Sequence, residues 1–351
     1  MQLFGKDWTR REIEARVGRM EQLGGVRRMQ LTEGPEAGVE IIQVSTGAGL
    51  TYYVSPSRGL DISLAKFRDV PISWKSPNGD VAPAFYNAGE LEWLRTAAGG
   101  LLMTCGLSQV GSPNEDGGEK LGLHGRIHHT PARHVSAGAN WRDDDYELRV
   151  SGMAEETKIF GDCLRLTRSL ISRMGENRIE IHDEVENVGF RSAPHMMLYH
   201  FNFGFPLLME ETRIKFPSAK VTPREETTPL AGFDQWQAPT IDYQERVYYH
   251  TVISSRNHIA SVEITNPIFP LGSGNGATAL CVRISWNTEQ LPRLVQWKMP
   301  GAGVHVLGIE PANCWVEGRA VERQRGTLVQ LNPGEKKFYD LEIEILDVSE
   351  S

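Results

Sequence analysis

The sequence predicts a mainly β protein, a large antiparallel sandwich with one short helix near its start. Three observations carry this. Short runs rich in β-branched and aromatic residues recur along most of the chain, bounded by Gly, Pro, Asn or Asp. Helical periodicity appears clearly in one place only. No helical pattern separates successive strand signals, which argues against a βαβ arrangement.

The helix comes first. Thr9-Arg10-Arg11-Glu12 reads as a capping box, and Ile13, Val17 and Met20 then fall on one helical face until Gly24-Gly25. Strand signals follow at 39–46, 50–55 and 146–152. Segment 178–185 alternates strictly and ends in the turn Asn187-Val188-Gly189. Further strands are expected at 247–254, 258–265, 278–286, 294–299, 304–309 and, after the turn Asn332-Pro333-Gly334, 338–346. Segment 89–100 reads as a helical turn before Gly99-Gly100, and 113–122 as a polar, Gly-rich loop. Segment 222–239, rich in proline and charge, reads as a lid or a surface excursion. No repeat or linker is visible, so one domain over 1–351 is expected, with 1–25 as a helical lead-in.

Composition narrows the function. The chain has 351 residues, 40% hydrophobic and 23% charged, with a net charge of -8. No Lys/Arg-rich run is present, which argues against nucleic acid. No stretch reaches the roughly 20 apolar residues that cross a bilayer, and the charged N-terminus has no apolar signal region. Cys105, Cys163, Cys281 and Cys314 are far apart, with no C-x-x-C pair. The expectation is a cytoplasmic protein with reduced thiols, monomeric or homodimeric, acting on a small molecule without metal or cofactor.

Three phrases carry candidate chemistry: Gly122-Leu123-His124-Gly125-Arg126, Tyr199-His200-Phe201-Asn202 and Gly308-Ile309-Glu310-Pro311. Glu310 follows an apolar run and precedes Pro311, so it is expected at a strand end, desolvated, with a raised pKa suited to a base. His200 lies in an apolar strand, where an imidazole can act as an acid. Asn202 shares its face and could bind a hydroxyl, whereas His195 faces the other way. His124 sits between glycines that could admit a ligand to the backbone. The spacing of His124 and His128 would suit zinc on a helix, but the glycines argue against a helix. Arg58 and Asp61 form a turn that could contact a ligand or simply pair. Gln296 and Lys298 share one strand face and Trp297 takes the other; a Lys in such a strand needs a partner. Glu245 and His250 are weaker candidates.

These phrases, with Leu3-Phe4-Gly5-Lys6, Arg58-Gly59-Leu60-Asp61-Ile62, residues 99–107 and Gln296-Trp297-Lys298, resemble the aldose 1-epimerase superfamily, in particular its aldose-1-epimerase-like branch. The resemblance covers nearly the whole chain. It implies a galactose-mutarotase-like β-supersandwich with a sugar groove across one sheet. It also implies a substrate-binding role for His124, an acid role for His200 and a base role for Glu310, in a mutarotase that interconverts sugar anomers. The chain departs from that pattern at Arg126, where glycine is usual, and at Asn202, two residues after His200 instead of four. Arg58, Asp61, Arg126, His128, Asn202, Gln296 and Lys298 are the expected substrate contacts, with the cations leaving room for an acidic or phosphorylated sugar. A lyase, a glycosidase, an epimerase at another carbon and a non-catalytic sugar-binding protein are the alternatives on the same fold.

Overall fold

The computed structural model describes residues 1–271 and 276–348. Among the described residues, two large antiparallel sheets dominate, one of eight strands and one of twelve. The smaller sheet runs Arg133–Arg142, Asp145–Thr157, Cys163–Arg173, Arg178–Asn187, Lys336–Asp347, Gly276–Asn287, Ile259–Leu271 and Arg213–Lys215 in spatial order. The centre of the larger sheet is Arg246–Val252, Arg293–Gly301, Val304–Ala312, Ala193–Phe203 and Leu102–Leu107, again in spatial order.

Period-two alternation explains how the sheets pack. The smaller sheet turns Leu164, Leu166, Ile181, Val282 and Ile343 inward, against Val54, Tyr199, Phe201, Leu307 and Ile309 of the larger one. The larger sheet is apolar on its outer face too. There Met103, Cys105, Met196, Leu198, Val295 and Ala312 pack under Trp93 and Trp297 from a second cluster. Coverage on both faces is why Ala193–Phe203 is buried along its whole length.

Most expected strands form, several of them longer than their alternation implied. The 146–152 signal belongs to Asp145–Thr157, and the terminal strand spans Lys336–Asp347. The Thr9–Glu12 capping box is present, but the helix covers only Arg10–Glu14; Val17 and Met20 lie beyond it, with Gly18, which holds helix poorly, between them. The helical turn within 89–100 is a single 3-10 turn, Glu92–Arg95. The loop at 113–122 contains a small hairpin, Asn114–Asp116 with Glu119–Leu121. A second helix, Arg319–Arg325, had no apolar stripe to announce it. Arg319 fixes it to Asp116, Glu322 fixes it to Arg293, and left-handed Gly326 ends it. Among the described residues no helix is long and apolar enough to cross a membrane.

Strand Cys163–Arg173 was hidden because Arg168 interrupts its apolar face. That arginine is fully buried and ties the two sheets together. Its guanidinium donates to Asp183 (2.6 and 2.9 Å), to Asp61 Oδ1 (2.8 Å) and to Thr104 Oγ1 (2.9 Å). Tyr199, on the inner face of the larger sheet, donates to Asp183 Oδ2 at 2.7 Å. Burial works against the Arg168 charge, but Asp183 and Asp61 outweigh it and raise its pKa. Arg168→Leu would strand two buried carboxylates. It is expected to cost about 3–5 kcal/mol in urea unfolding, whereas a loss below about 1 kcal/mol would mean that the network contributes little.

Candidate acid–base site

The outer face of the larger sheet positions the site. Leu198 pairs with Ala312 and Phe201 with Ile309 on the neighbouring strand. The register between those pairs sets His200 directly opposite Glu310, although the two residues lie more than a hundred positions apart. Directly opposed residues on adjacent strands have Cβ atoms about 4.5–5.5 Å apart. The side chains accordingly meet, with His200 Nε2 3.2 Å from Glu310 Oε1. Both residues are nearly inaccessible, at 5% and 2% exposure.

Trp297 closes one flank, its ring 5.6 Å from that of His200. Gly308, paired with Trp297 on one side and Asn202 on the other, forms the floor. A Cβ at Gly308 would stand 2.6 Å from Glu310 Oε1, 3.0 Å from Trp297 Cβ and 3.1 Å from His200 Cε1. On the opposite flank the His124 ring lies 5.9 Å from that of His200 and 5.1 Å from that of Trp93. His124 Nδ1 accepts from the Gly111 amide (3.4 Å), which puts its proton on Nε2. Arg224 and Glu245 stand close enough to act on Glu310 electrostatically. Glu245 is held by Arg224 (3.3 Å) and by the Trp297 indole (2.9 Å).

The electrostatics follow from burial. Loss of water pushes the Glu310 carboxyl up to about 8; Glu245 adds to the rise and Arg224 opposes it. Burial lowers His200 to about 4, with Asn202 partly opposing the fall. At neutral pH the pair therefore carries one proton and no net charge: a carboxylic acid facing a neutral imidazole. His124 is also held below its ordinary value, by burial first and then by His200. Buried polar atoms usually find partners. Here His200 Nδ1, Asn202 Oδ1, Glu310 Oε1 and the Trp93 indole nitrogen make no hydrogen bond of good geometry.

Several expectations are corrected. Glu310 is not at a strand end: Val304–Ala312 runs through Pro311, which faces Leu294. The glycines around His124 admit backbone, not ligand. A Cβ at Gly125 would lie 2.3 Å from Gly106 O, and one at Gly122 would lie 2.1 Å from Ala88 O. Asp61, His128 and Arg58 form a buried network of their own, with the His128 ring 5.7 Å from that of Trp93 and close enough to act on His200 electrostatically. Asp61 is fully engaged by Thr104, Arg168 and His128. The His128 ring bridges Asp61 (2.7 Å) and Arg58 (3.0 Å), leaving no nitrogen for a ligand. Arg58 also donates to the Val81 carbonyl. Arg126 is exposed, beside Lys120, Glu156 and Lys158.

Gln296 and Lys298 share the inner face with Leu294, so they point away from Glu310, while Trp297 points towards it. Lys298 donates to the carbonyls of Gly232 (2.6 Å) and Gln235 (2.7 Å), and Gln296 donates to Phe233 O (2.6 Å). Both therefore anchor the 222–239 excursion, and backbone carbonyls supply the partner Lys298 required. Trp93, Arg224 and Gly308 were missed as site residues. Gly308 was the most accessible of these, because it lies two residues before Glu310 on the same strand face.

The DUF4432 profile, a domain of unknown function, matches residues 36–345. The chain belongs to the DUF4432 family. No curated protein sequence matches it. Among solved structures it is similar to a candidate aldose 1-epimerase from Klebsiella pneumoniae. That likeness has 26% identity and a TM-score of 0.82, over 93% of this chain and 86% of the other. A galactose mutarotase-like protein from Clostridium acetobutylicum matches at 15% identity and TM-score 0.60, over 92% and 98% of the two chains. A galactose 1-epimerase from Lactobacillus acidophilus matches at 12% and 0.59, over 92% and 98%. At such identities the last two show the fold alone. Together these matches bear out the galactose-mutarotase-like fold of this DUF4432 protein and its resemblance to the aldose 1-epimerase superfamily. Among the described residues no cluster of three or more His, Cys, Asp or Glu is arranged to hold a metal ion.

Two predictions follow from the geometry. The native state keeps a proton on Glu310 up to about pH 8, whereas an unfolded glutamate releases it near its ordinary 4.5. Wild-type stability should therefore fall relative to Glu310→Gln as pH rises through that window, by up to about 1.4 kcal/mol per pH unit. Thermal melts from pH 4 to pH 9 should show the gap opening between those limits and levelling above; a constant gap would contradict the raised pKa. Gly308→Ala should cost about 1–3 kcal/mol by overpacking and push Glu310 away from His200 in a crystal structure. An unchanged pair distance would show that the floor has slack.

Proposed function

We propose that this DUF4432 protein is a sugar-active isomerase that interconverts the anomers of a neutral aldose, with Glu310 as base and His200 as acid. The chain would act as one unit, since the pair lies on strands from distant parts of the sequence. The observation that carries this reading is the opposition of Glu310 and His200 across adjacent strands, with Nε2 and Oε1 3.2 Å apart. Ring opening needs two linked proton transfers. The anomeric O1 gives its proton to the Glu310 carboxylate while the ring O5 receives one from the His200 imidazolium. The C1–O5 bond breaks and the C1–O1 carbonyl forms. Rotation about C1–C2 followed by the reverse steps closes the ring on its other face, and the proton count returns to its start.

That chemistry uses the same pair with its proton on the histidine side. The low local polarity favours the uncharged arrangement, and the hydroxyls of a sugar bound against the pair would stabilise the charged one. His124 Nε2–H and Asn202 are the proposed hydroxyl contacts, and Trp297 the proposed apolar wall. Neutrality of the sugar is inferred from charge. Arg224 is already paired with Glu225 and Glu245. Arg58, Arg126 and Lys298, the cations that could have formed an anion subsite, do not converge on the pair.

The test is anomer exchange followed by NMR saturation transfer over a panel of neutral aldoses, sugar acids and sugar phosphates. Wild type should accelerate exchange of neutral aldoses, and His200→Ala and Glu310→Gln should each lower the rate by roughly 10²–10⁴-fold. The rate should be bell-shaped in pH. It should fall on the acid side as His200 takes a second proton near 4, and on the alkaline side as Glu310 loses the shared one near 8. Folded protein that accelerates no sugar would defeat the reading.

A further inference from the structure

Glu310 must be a carboxylate to act as a base, yet burial holds it as an acid. The sheet edge beside it carries charges that bear on this. Ser218–Pro223 is the edge strand, followed in space by Arg246–Val252, Arg293–Gly301, Val304–Ala312 and Ala193–Phe203. Arg224 follows the edge strand and Glu245 precedes its neighbour. The Arg224 amide donates to Val247 O at 2.9 Å, and Val247 packs on the outer face with Val295. Both charges therefore reach the pair from the Glu310 side, with His200 one strand, about 4.8 Å, further away.

The two charges hold each other. Glu245 Oε1 accepts from Arg224 Nη2 at 3.3 Å, and Oε2 accepts from the Trp297 indole at 2.9 Å. Glu225 Oε1 accepts from Arg224 Nε at 2.5 Å. The Glu245 side chain is 52% exposed and that of Glu310 only 3%, so Glu245 is the carboxylate an arriving hydroxyl meets first. Its bond to Arg224 is the longest of the three and the easiest to displace.

The other titratable groups around Glu310 add little charge. Burial keeps His124 and His200 below their ordinary values and the Cys105 thiol well above its own, so all three are neutral at pH 7. Tyr249, across Val295 in the same lateral row, is likewise raised and neutral. Beyond it Arg293 pairs with Glu322 at 2.8 Å and Arg325 with Glu317 at 2.9 Å. Arg224 and Glu245 act on Glu310 with opposite sign.

We propose that Arg224 and Glu245 are positioning residues for the proton of the Glu310–His200 pair: in the free protein each offsets the other's field at Glu310, and a sugar hydroxyl donating to Glu245 loosens its hold on Arg224, leaving the guanidinium to favour the Glu310 carboxylate. The proton then passes from the Glu310 carboxyl to His200 Nε2, 3.2 Å away, and no other bond changes. This rests on the anomer-exchange reading above.

The test follows the Glu310 carboxyl band by infrared difference spectroscopy across pH without sugar, each protein being referenced to the same protein carrying Glu310→Gln. Arg224→Gln should raise the midpoint and Glu245→Gln should lower it, each by about 0.5 pH unit or more, while Arg224→Lys keeps the wild-type value. Midpoints that stay fixed, or that move in the same direction, would overturn the proposal. Anomer exchange of neutral aldoses then reads the coupling. Arg224→Gln should lower kcat by about tenfold for each pH unit its midpoint rises, and Arg224→Lys should restore it. Glu245→Gln should raise KM more than it lowers kcat. An unchanged kcat in Arg224→Gln would also overturn the proposal. If no sugar is exchanged by wild type, the function reading fails and the midpoints alone decide: opposite shifts support the offsetting roles of Arg224 and Glu245, and any other pattern overturns them.

Discussion

The register between Ala193–Phe203 and Val304–Ala312 is the constraint on which the site depends. Side chains alternate faces along a strand, so slipping this pairing by one residue would turn either His200 or Glu310 towards the other sheet. Packing on both faces prevents the slip. Tyr199, Phe201, Leu307 and Ile309 fill the core between the sheets, while Leu198 and Ala312 pack outside. Neither face tolerates exchange of its residues with the other. A carboxyl and an imidazole are thereby held in contact by a sheet, with no loop needed to bring them together.

Two polar systems lie on opposite faces of that strand, and they resolve burial differently. Tyr199 belongs to the inner system, where Arg168 neutralises Asp61 and Asp183 and nearly every oxygen has a donor. Its charges are compensated, so it serves structure. One residue on, His200 belongs to the outer system, which has no such compensation. Glu310 and His200 give up their charges instead, and polar atoms of both remain without partners. Strain of this kind costs stability and is typical of a functional site.

Much of the architecture was legible in the sequence. Strict alternation marked the strand at 178–185, and apolar runs marked 294–299 and 304–309. The capping box marked the first helix. Strand Cys163–Arg173 was obscured because its central core position is an arginine, whose two carboxylate partners come from distant segments. For the site, the phrases around His124, His200 and Glu310 led to one patch. The opposed faces of Gln296-Trp297-Lys298 were also evident. Which face met the site was not, because that depends on the neighbouring strands. Asp61 and His128 met the same difficulty: their partnership spans 67 positions and is made by a 3-10 turn packing onto a strand end.

The central claim is that His200 and Glu310 hold one proton between them in a nearly dry place, with the proton resting on the carboxyl. Infrared difference spectroscopy of wild type against Glu310→Gln across pH tests it most directly. A buried protonated carboxyl band present at pH 6 and lost around pH 8 is the predicted result. A carboxylate band already complete at pH 6 would contradict the account, since Glu310 would then be an ordinary ionised glutamate and His200 would hold the proton.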